Sequence, residues 1–199
     1  MAAPQKKIAG IILAAGSGVR ISRTKQLLPF NNRPVLSHVI ENTKQSTLYE
    51  TVVVLGHCAD KIKKTIDFSG TKTVINHNYL KGQSTSLMKG LENISPICDA
   101  AMFLLGDQPL VSKSTINTII KAFKTSSASI AIPYYNDIRG NPVIIARSLF
   151  HDLKQLSGDT GPRILFKKFH DSILNVPVND KGILFDVDTK ADYKKLISK

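Results

Sequence analysis

The chain has no run approaching the roughly 18 consecutive apolar residues that a membrane helix needs, so no membrane partner is expected. The opening "MAAPQKK" leads straight into a strand-like segment and contains no signal-peptide h-region. Cysteine is scarce: Cys58 and Cys98 sit in apolar surroundings at no metal-like spacing. They read as reduced thiols in or near the core of a cytoplasmic protein. Two phosphate-binding motifs are also missing. There is no G-x-x-x-x-G-K-S/T, and the first glycine turn lacks the third glycine of G-x-G-x-x-G. Acidic residues are few, 15 against 27 Lys and Arg, which leaves a formal charge of +12. A nucleic-acid binder would gather such cations into a stripe with interleaved aromatics. Here they are scattered, with Lys61, Lys63 and Lys64 on one predicted helix, Lys121 and Lys124 on another, and Lys194, Lys195 and Lys199 at the end. Solvated helix faces account for most of them, nucleic acid is not expected, and a small polyanionic substrate needs only a few.

What is present is a regular alternation. The segments 8–14, 51–55, 73–75, 101–105 and 129–132 are short, apolar and rich in Val and Ile, as strands buried on both faces should be. Between them lie helical patterns over 34–44, with Pro34 at the first helical position, and over 84–94. A third carries Ile116, Ile119, Ile120 and Phe123 and is capped by Ser112 or Ser114. Beyond Pro133 the pattern loosens into a loop, a strand and a helix start. A helix to Phe169, strands around 175–178 and 183–187, and a terminal helix follow. This order predicts a single domain over 1–199 of the α/β class, a three-layer, doubly wound, mostly parallel sheet with right-handed crossovers. In such sheets ligands bind beyond the carboxyl ends of the strands.

Three loops at those ends carry chemistry. In "LAAGSGVRISRTKQLLPF" the small residues Ala14, Ala15, Gly16 and Gly18 let the backbone approach an anion, and Arg20 and Lys25 supply a planar fork and a point charge. The same residues would also make an ordinary tight turn. In "MFLLGDQPLV" Asp107 stands where an apolar strand runs out. It is either a magnesium ligand or the cap of the next turn. In "FDVDT" Asp186 and Asp188 fall on one side of a late strand by period two, so that either could complete a metal site, or Asp188 could cap the terminal helix.

Taken together, these stretches resemble the signature of nucleotidyltransferases related to the molybdenum-cofactor enzymes. "GQSTSL" at Gly82 to Leu87, "GDQP" at Gly106 to Pro109, "RGNPV" at Arg139 to Val143, "GDTGPR" at Gly158 to Arg163 and "DVDT" at Asp186 to Thr189 follow in that family's order. The set is more similar to the cytidylyltransferase branch than to the guanylyl branch. The resemblance implies a Rossmann-like nucleotide-diphospho-sugar transferase (GT-A) fold. It also implies a Mg²⁺-dependent transfer of CMP from CTP to molybdopterin, with release of pyrophosphate. By the same resemblance Leu13, Ala14, Ala15, Gly16 and Gly18 contact the nucleotide, with Asn78, Ser84 and His57 as further candidates. Arg20 and Lys25 hold the triphosphate, and Asp107 binds Mg²⁺ with Asp186 or Asp188. Arg139, Asn141, Asp159 and Arg163 line the acceptor side, and a molybdoenzyme is a partner that would receive the product. The family's glycine two positions after the arginine is Ser22 here, and its Met or Phe is Ile21. Alternatives are a relative using GTP or another phosphorylated acceptor, or a non-catalytic carrier of the mature cofactor.

Overall fold

The computed structural model describes residues 5–16 and 24–198. Its main sheet runs β10-β7-β9-β6-β1-β4-β5. The strands are β1 (Ile8–Ala14), β4 (Glu50–Leu55), β5 (Lys72–Ile75), β6 (Ala100–Leu105), β7 (Ile130–Tyr135), β9 (Val143–Ala146) and β10 (Ile173–Pro177), with the short β8 (Ile138–Arg139) pairing β7. A small hairpin, β2 (Pro29–Phe30) and β3 (Arg33–Pro34), stands apart. Strands β5, β4, β1 and β6 are mutually parallel, while β9 runs antiparallel between β6 and β7.

Helices cover both faces because the parallel strands are apolar on both. On one face α1 (Val35–Lys44), α2 (Ala59–Thr65) and α4 (Lys113–Lys124) bury Leu36, Ile62 and Ile120 against Ile8, Ile12, Val53 and Met102. On the other, α3 (Gln83–Leu91), α5 (Phe150–Lys154) and α6 (Leu165–Lys168) set Leu87, Leu153 and Phe166 against Ile11, Val54 and Phe103. Alternate residues of β1 feed the two cores, as period two requires. No helix among the described residues is long and apolar enough to cross a membrane. Cys98 is buried beside Glu50, and burial together with that carboxylate pushes its thiol up to about 12.

Three local expectations are corrected. Pro34 is the N-cap residue of α1 and not its first helical residue, its extended backbone serving the β2–β3 hairpin at the same time. The helix expected up to Phe169 is a 3₁₀ turn at Pro162–Ile164 followed by the single turn of α6. The segment 183–187 is not a strand. Lys181–Leu184 forms a 3₁₀ turn, and the extended chain beyond it meets the sheet through isolated bonds, such as Val187 N–H donating to the Asp107 carbonyl.

Candidate active site

Parallel register sets Leu13 of β1 beside Leu105 of β6, so the two strands end together and release their loops at one edge. The loops open a cleft of about 650 Å³. Leu13, Ala14, Ala15 and Gly16 line one side, and Gly106 and Asp107 continue it. Tyr79, Gly82 and Gln83 at the start of α3 face it, together with Asp159.

Lys25 sits at the centre of the charge in this cleft. It opens a 3₁₀ turn at Lys25–Leu27, and its ammonium donates to the carboxylates of both Asp107 and Asp188, the latter at 2.9 Å. The Lys25 and Asp107 side chains are only 16% and 13% exposed. Burial alone would push the ammonium down, but the charges and hydrogen bonds of Asp107 and Asp188 outweigh it and hold Lys25 above its ordinary value. Asp188 reaches the cluster from 163 residues away because α7 (Lys190–Ile197) docks on the hairpin. Leu196 and Val187 pack with Leu28 and Val35, and the Tyr193 hydroxyl donates to the Pro29 carbonyl. Thr189 and Asp192 close a capping box that fixes the start of α7 one residue after Asp188.

Asp186 is oriented differently from Asp188. Its carboxylate accepts a hydrogen bond from the Gln108 side-chain amide, and Gln108 is itself buried. Burial, then the charges of Asp107 and Asp188, raise its pKa, with Gln108 and Lys25 offsetting part of the effect. Among the described residues no group of three or more His, Cys, Asp or Glu side chains converges as a metal cage. A magnesium-type ion does not require one, since one or two carboxylates suffice where phosphates and water complete the shell. Asp107 and Asp188, both lining the cleft, are a donor pair of that kind.

Gln26 was not singled out in the sequence, and its side chain is almost wholly buried at 2% exposure. Its amide nitrogen donates to the carbonyls of Ala14 at 3.0 Å and Gly16 at 3.2 Å, which brackets the turn after β1. In a trans peptide the N–H lies opposite the C=O. Turning the Ala14 carbonyl toward Gln26 therefore turns the Ala15 N–H away from it. Among the described residues the side-chain carbonyl oxygen of Gln26 has no hydrogen-bond partner. Only a long-range contact of this kind reveals the residue; a lone Gln after a Lys carries no signal.

The lip opposite is a backbone seam. Ser84 donates both its N–H and its hydroxyl to the Gly158 carbonyl, and Gln83 N–H points to Asp159 Oδ1. Gly82 has φ +106°, and a Cβ there would stand 2.2 Å from the Gly158 carbonyl carbon. Ser84 thus faces the seam, while Gly82, Gln83 and Ser86 line the cleft. Asn78 caps the turn at Tyr79–Lys81, its carbonyl accepting from the Thr85 hydroxyl. His57 donates its backbone N–H to the Ala15 carbonyl and sets its ring against Tyr79, centroids 6.0 Å apart. Asn141 is buried and bonds Ile183 through its backbone. Arg139 and Arg163 do not line the cleft but a separate recess of about 450 Å³. Gly18, Arg20, Ile21, Ser22 and Arg23 lie outside the described residues.

The mostly parallel sheet flanked by helices is the nucleotide-diphospho-sugar transferase fold, and the chain is a nucleotidyltransferase. The chain belongs to the family of the MobA-like NTP transferase domain, which matches residues 10–173. A protein named nicotine blue oxidoreductase from Paenarthrobacter nicotinovorans is 26% identical over 96% of both chains. The crystal structure of Rv0371c from Mycobacterium tuberculosis H37Rv is 28% identical and superposes with a TM-score of 0.88, covering 98% of this chain and 100% of that one. The same mycobacterial protein has been solved in complex with manganese, with a TM-score of 0.79 at the same identity and coverage.

Proposed function

We propose that the cleft binds CTP and that the enzyme transfers CMP from it to a phosphorylated acceptor of the molybdopterin type, in the cytoplasm. The observation that carries this reading is the Lys25 ammonium held between Asp107 and Asp188 at the end of the first core strand. Leu13, Ala14, Ala15 and Gly16 offer backbone to the nucleotide, and the family resemblance adds Gly18 and Arg20 as further contacts. Asn78 and Ser84 stand on the opposite side, with Ser84 acting through the seam. An oxygen of the acceptor phosphate attacks the α-phosphorus in line, the bond to the β-phosphate oxygen breaks, and pyrophosphate leaves with its electrons. The attacking phosphate is already ionised at neutral pH, so no side chain has to remove a proton. The barrier is charge repulsion and misorientation between two anions. Lys25 and Arg20 lower the first by placing positive charge at the phosphates, and the closed wall of Gly82, Gln83 and Asp159 lowers the second. A bound Mg²⁺ would be held by Asp107 and Asp188, with Asp186 beside them, and supplies charge neutralisation of the triphosphate. Asp159 and Asn141 belong to the acceptor side. Arg139 and Arg163 would serve an acceptor that extends past the cleft.

The test is pyrophosphate release with Mg²⁺ across CTP, GTP, ATP and UTP, against molybdopterin and simple sugar phosphates. Release with CTP and molybdopterin alone is the expected result. Release with GTP or with a sugar phosphate would reassign the substrates within the same chemistry. Binding of the finished dinucleotide cofactor and of a molybdoenzyme, with no release from any pair, would make the chain a carrier. Because a full-length relative carries an oxidoreductase name, the assay includes a reduced nicotinamide arm, and its oxidation without pyrophosphate release would overturn the transfer reading.

A further inference from the structure

The recess that holds Arg139 and Arg163 is built on the other half of the sheet. Strand β10 pairs β7 in parallel with Asn175 opposite Ile132, so Ile132, Tyr134, Ile173 and Asn175 present one patch of the sheet to it. In the antiparallel β7–β8 pair Arg139 stands opposite Tyr134. The 3₁₀ turn at Pro162–Ile164 and helix α6 close the remaining side with Arg163, Phe166 and Lys167. The guanidinium carbon of Arg139 lies 5.8 Å from the centre of the Phe166 ring, within cation–π range. Among the described residues neither Arg139, Arg163 nor Lys167 has a carboxylate within ion-pair distance. His170, which also lines the recess, has the exposed Asp171 carboxylate 3.2 Å from its ring. Three cations therefore face one hollow floored by Ile132, Tyr134, Ile173 and Asn175, and their fields add there. Two planar guanidinium forks match the oxygens of a tetrahedral anion, with the Tyr134 hydroxyl and Asn175 amide at hand.

We propose that this recess is a second anion site, separate from the nucleotide cleft, for a phosphate- or sulfate-type oxyanion borne on a small ligand. The two linings share no residue, yet one segment serves both: Asp159 faces the cleft, and Arg163 and Lys167 face the recess. The oxyanion is either a distal group of the acceptor or an independent effector. Its binding does not depend on the transfer reading.

The experiment follows the His170 ring in ¹⁵N-labelled full chain, assigned with His170→Gln, during titration with sodium sulfate at fixed pH. A saturable shift is expected that sodium chloride at equal ionic strength does not reproduce and that saturating CTP does not displace. Arg139→Gln combined with Arg163→Gln should weaken sulfate by about tenfold or more while leaving CTP affinity unchanged, and Lys167→Gln should weaken it less. Both arginines are exposed, so these variants should keep the wild-type melting temperature. In turnover, a raised acceptor KM at unchanged kcat in the double variant identifies a distal group of the acceptor. An unchanged acceptor KM with loss of any sulfate effect on rate identifies an effector. No saturable shift, an equal shift with chloride, or an unweakened double variant would overturn the proposal. The ring shift, the CTP competition and the double-variant affinity do not use pyrophosphate release, so failure here and failure of the transfer reading are told apart.

Discussion

The two concave regions differ in how their charge is held. In the cleft opposite charges interlock, Lys25 standing between Asp107 and Asp188 with all three partly buried. In the recess charges of one sign face a mixed polar and apolar floor, and among the described residues none of the three cations is paired with a carboxylate. An interlocked cluster fixes positions before a ligand arrives, whereas an unbalanced one draws an anion in without fixing it closely. The sheet itself follows the same division. The parallel strands β1 and β6 end together at the cleft, while the antiparallel β9 breaks the series before β7 and β10 form the recess.

The contrast can be broken most sharply at Asp107. Asp107→Ala removes one partner of a buried ammonium and a carboxylate facing the phosphates, and transfer should fall by on the order of 10³ or more while the protein stays folded. Full Mg²⁺-dependent turnover by that variant would remove Asp107 from the reaction. Lys25→Ala should lower kcat by roughly 10²–10³. A change confined to the CTP KM would make Lys25 a ground-state binder, like the recess arginines. Gln26→Met, which keeps the volume but loses both donors, should cost about tenfold in kcat/KM with a small change in melting temperature. An unchanged rate would mean that the turn after β1 holds its own shape.

The smallest effect concerns stability alone. Asp180 accepts from the Ser112 N–H and hydroxyl, the Thr115 hydroxyl and the Gly182 N–H, and so ties the chain ahead of Asp186 to the start of α4. Burial would raise its pKa, but these hydrogen bonds outweigh it and hold the carboxyl below the usual range. A depressed folded value means that the stabilisation is present above the ordinary carboxylate pKa and is lost as pH falls through the folded one. Asp180→Asn should therefore destabilise by about 1–2 kcal/mol at neutral pH, after allowing for solvent around a half-exposed group, and by less in acid. Equal loss at both ends of a denaturant series in pH would show that the charge contributes nothing.

Strands β1, β4 and β6, and the placing of Asp107 and Lys25 at their ends, were legible in the sequence because continuous apolar runs have few other uses. The "FDVDT" stretch misled for a physical reason. Phe185 and Val187 pack with Leu28 and Leu196, which yields the apolar–polar alternation of a strand in a segment that lies outside the described strands. Gln26 and the seam at Gly158 were invisible because they are contacts between residues with no local pattern. Arg139 and Arg163 were legible as cations of one motif set, but only the register of β8 on β7 and the 3₁₀ turn at Pro162–Ile164 show that they face a different hollow from Asp159.

The contact of Gly82 with Gly158 limits how such a chain can change over time. With a Cβ at position 82 only 2.2 Å from the neighbouring backbone, no single substitution there is accommodated unless the loop around 158–161 is rerouted first. That loop leads into the segment that walls both hollows. Drift at one glycine is thus forbidden until a second, distant stretch has already moved, and the two cavities inherit their shapes as a pair.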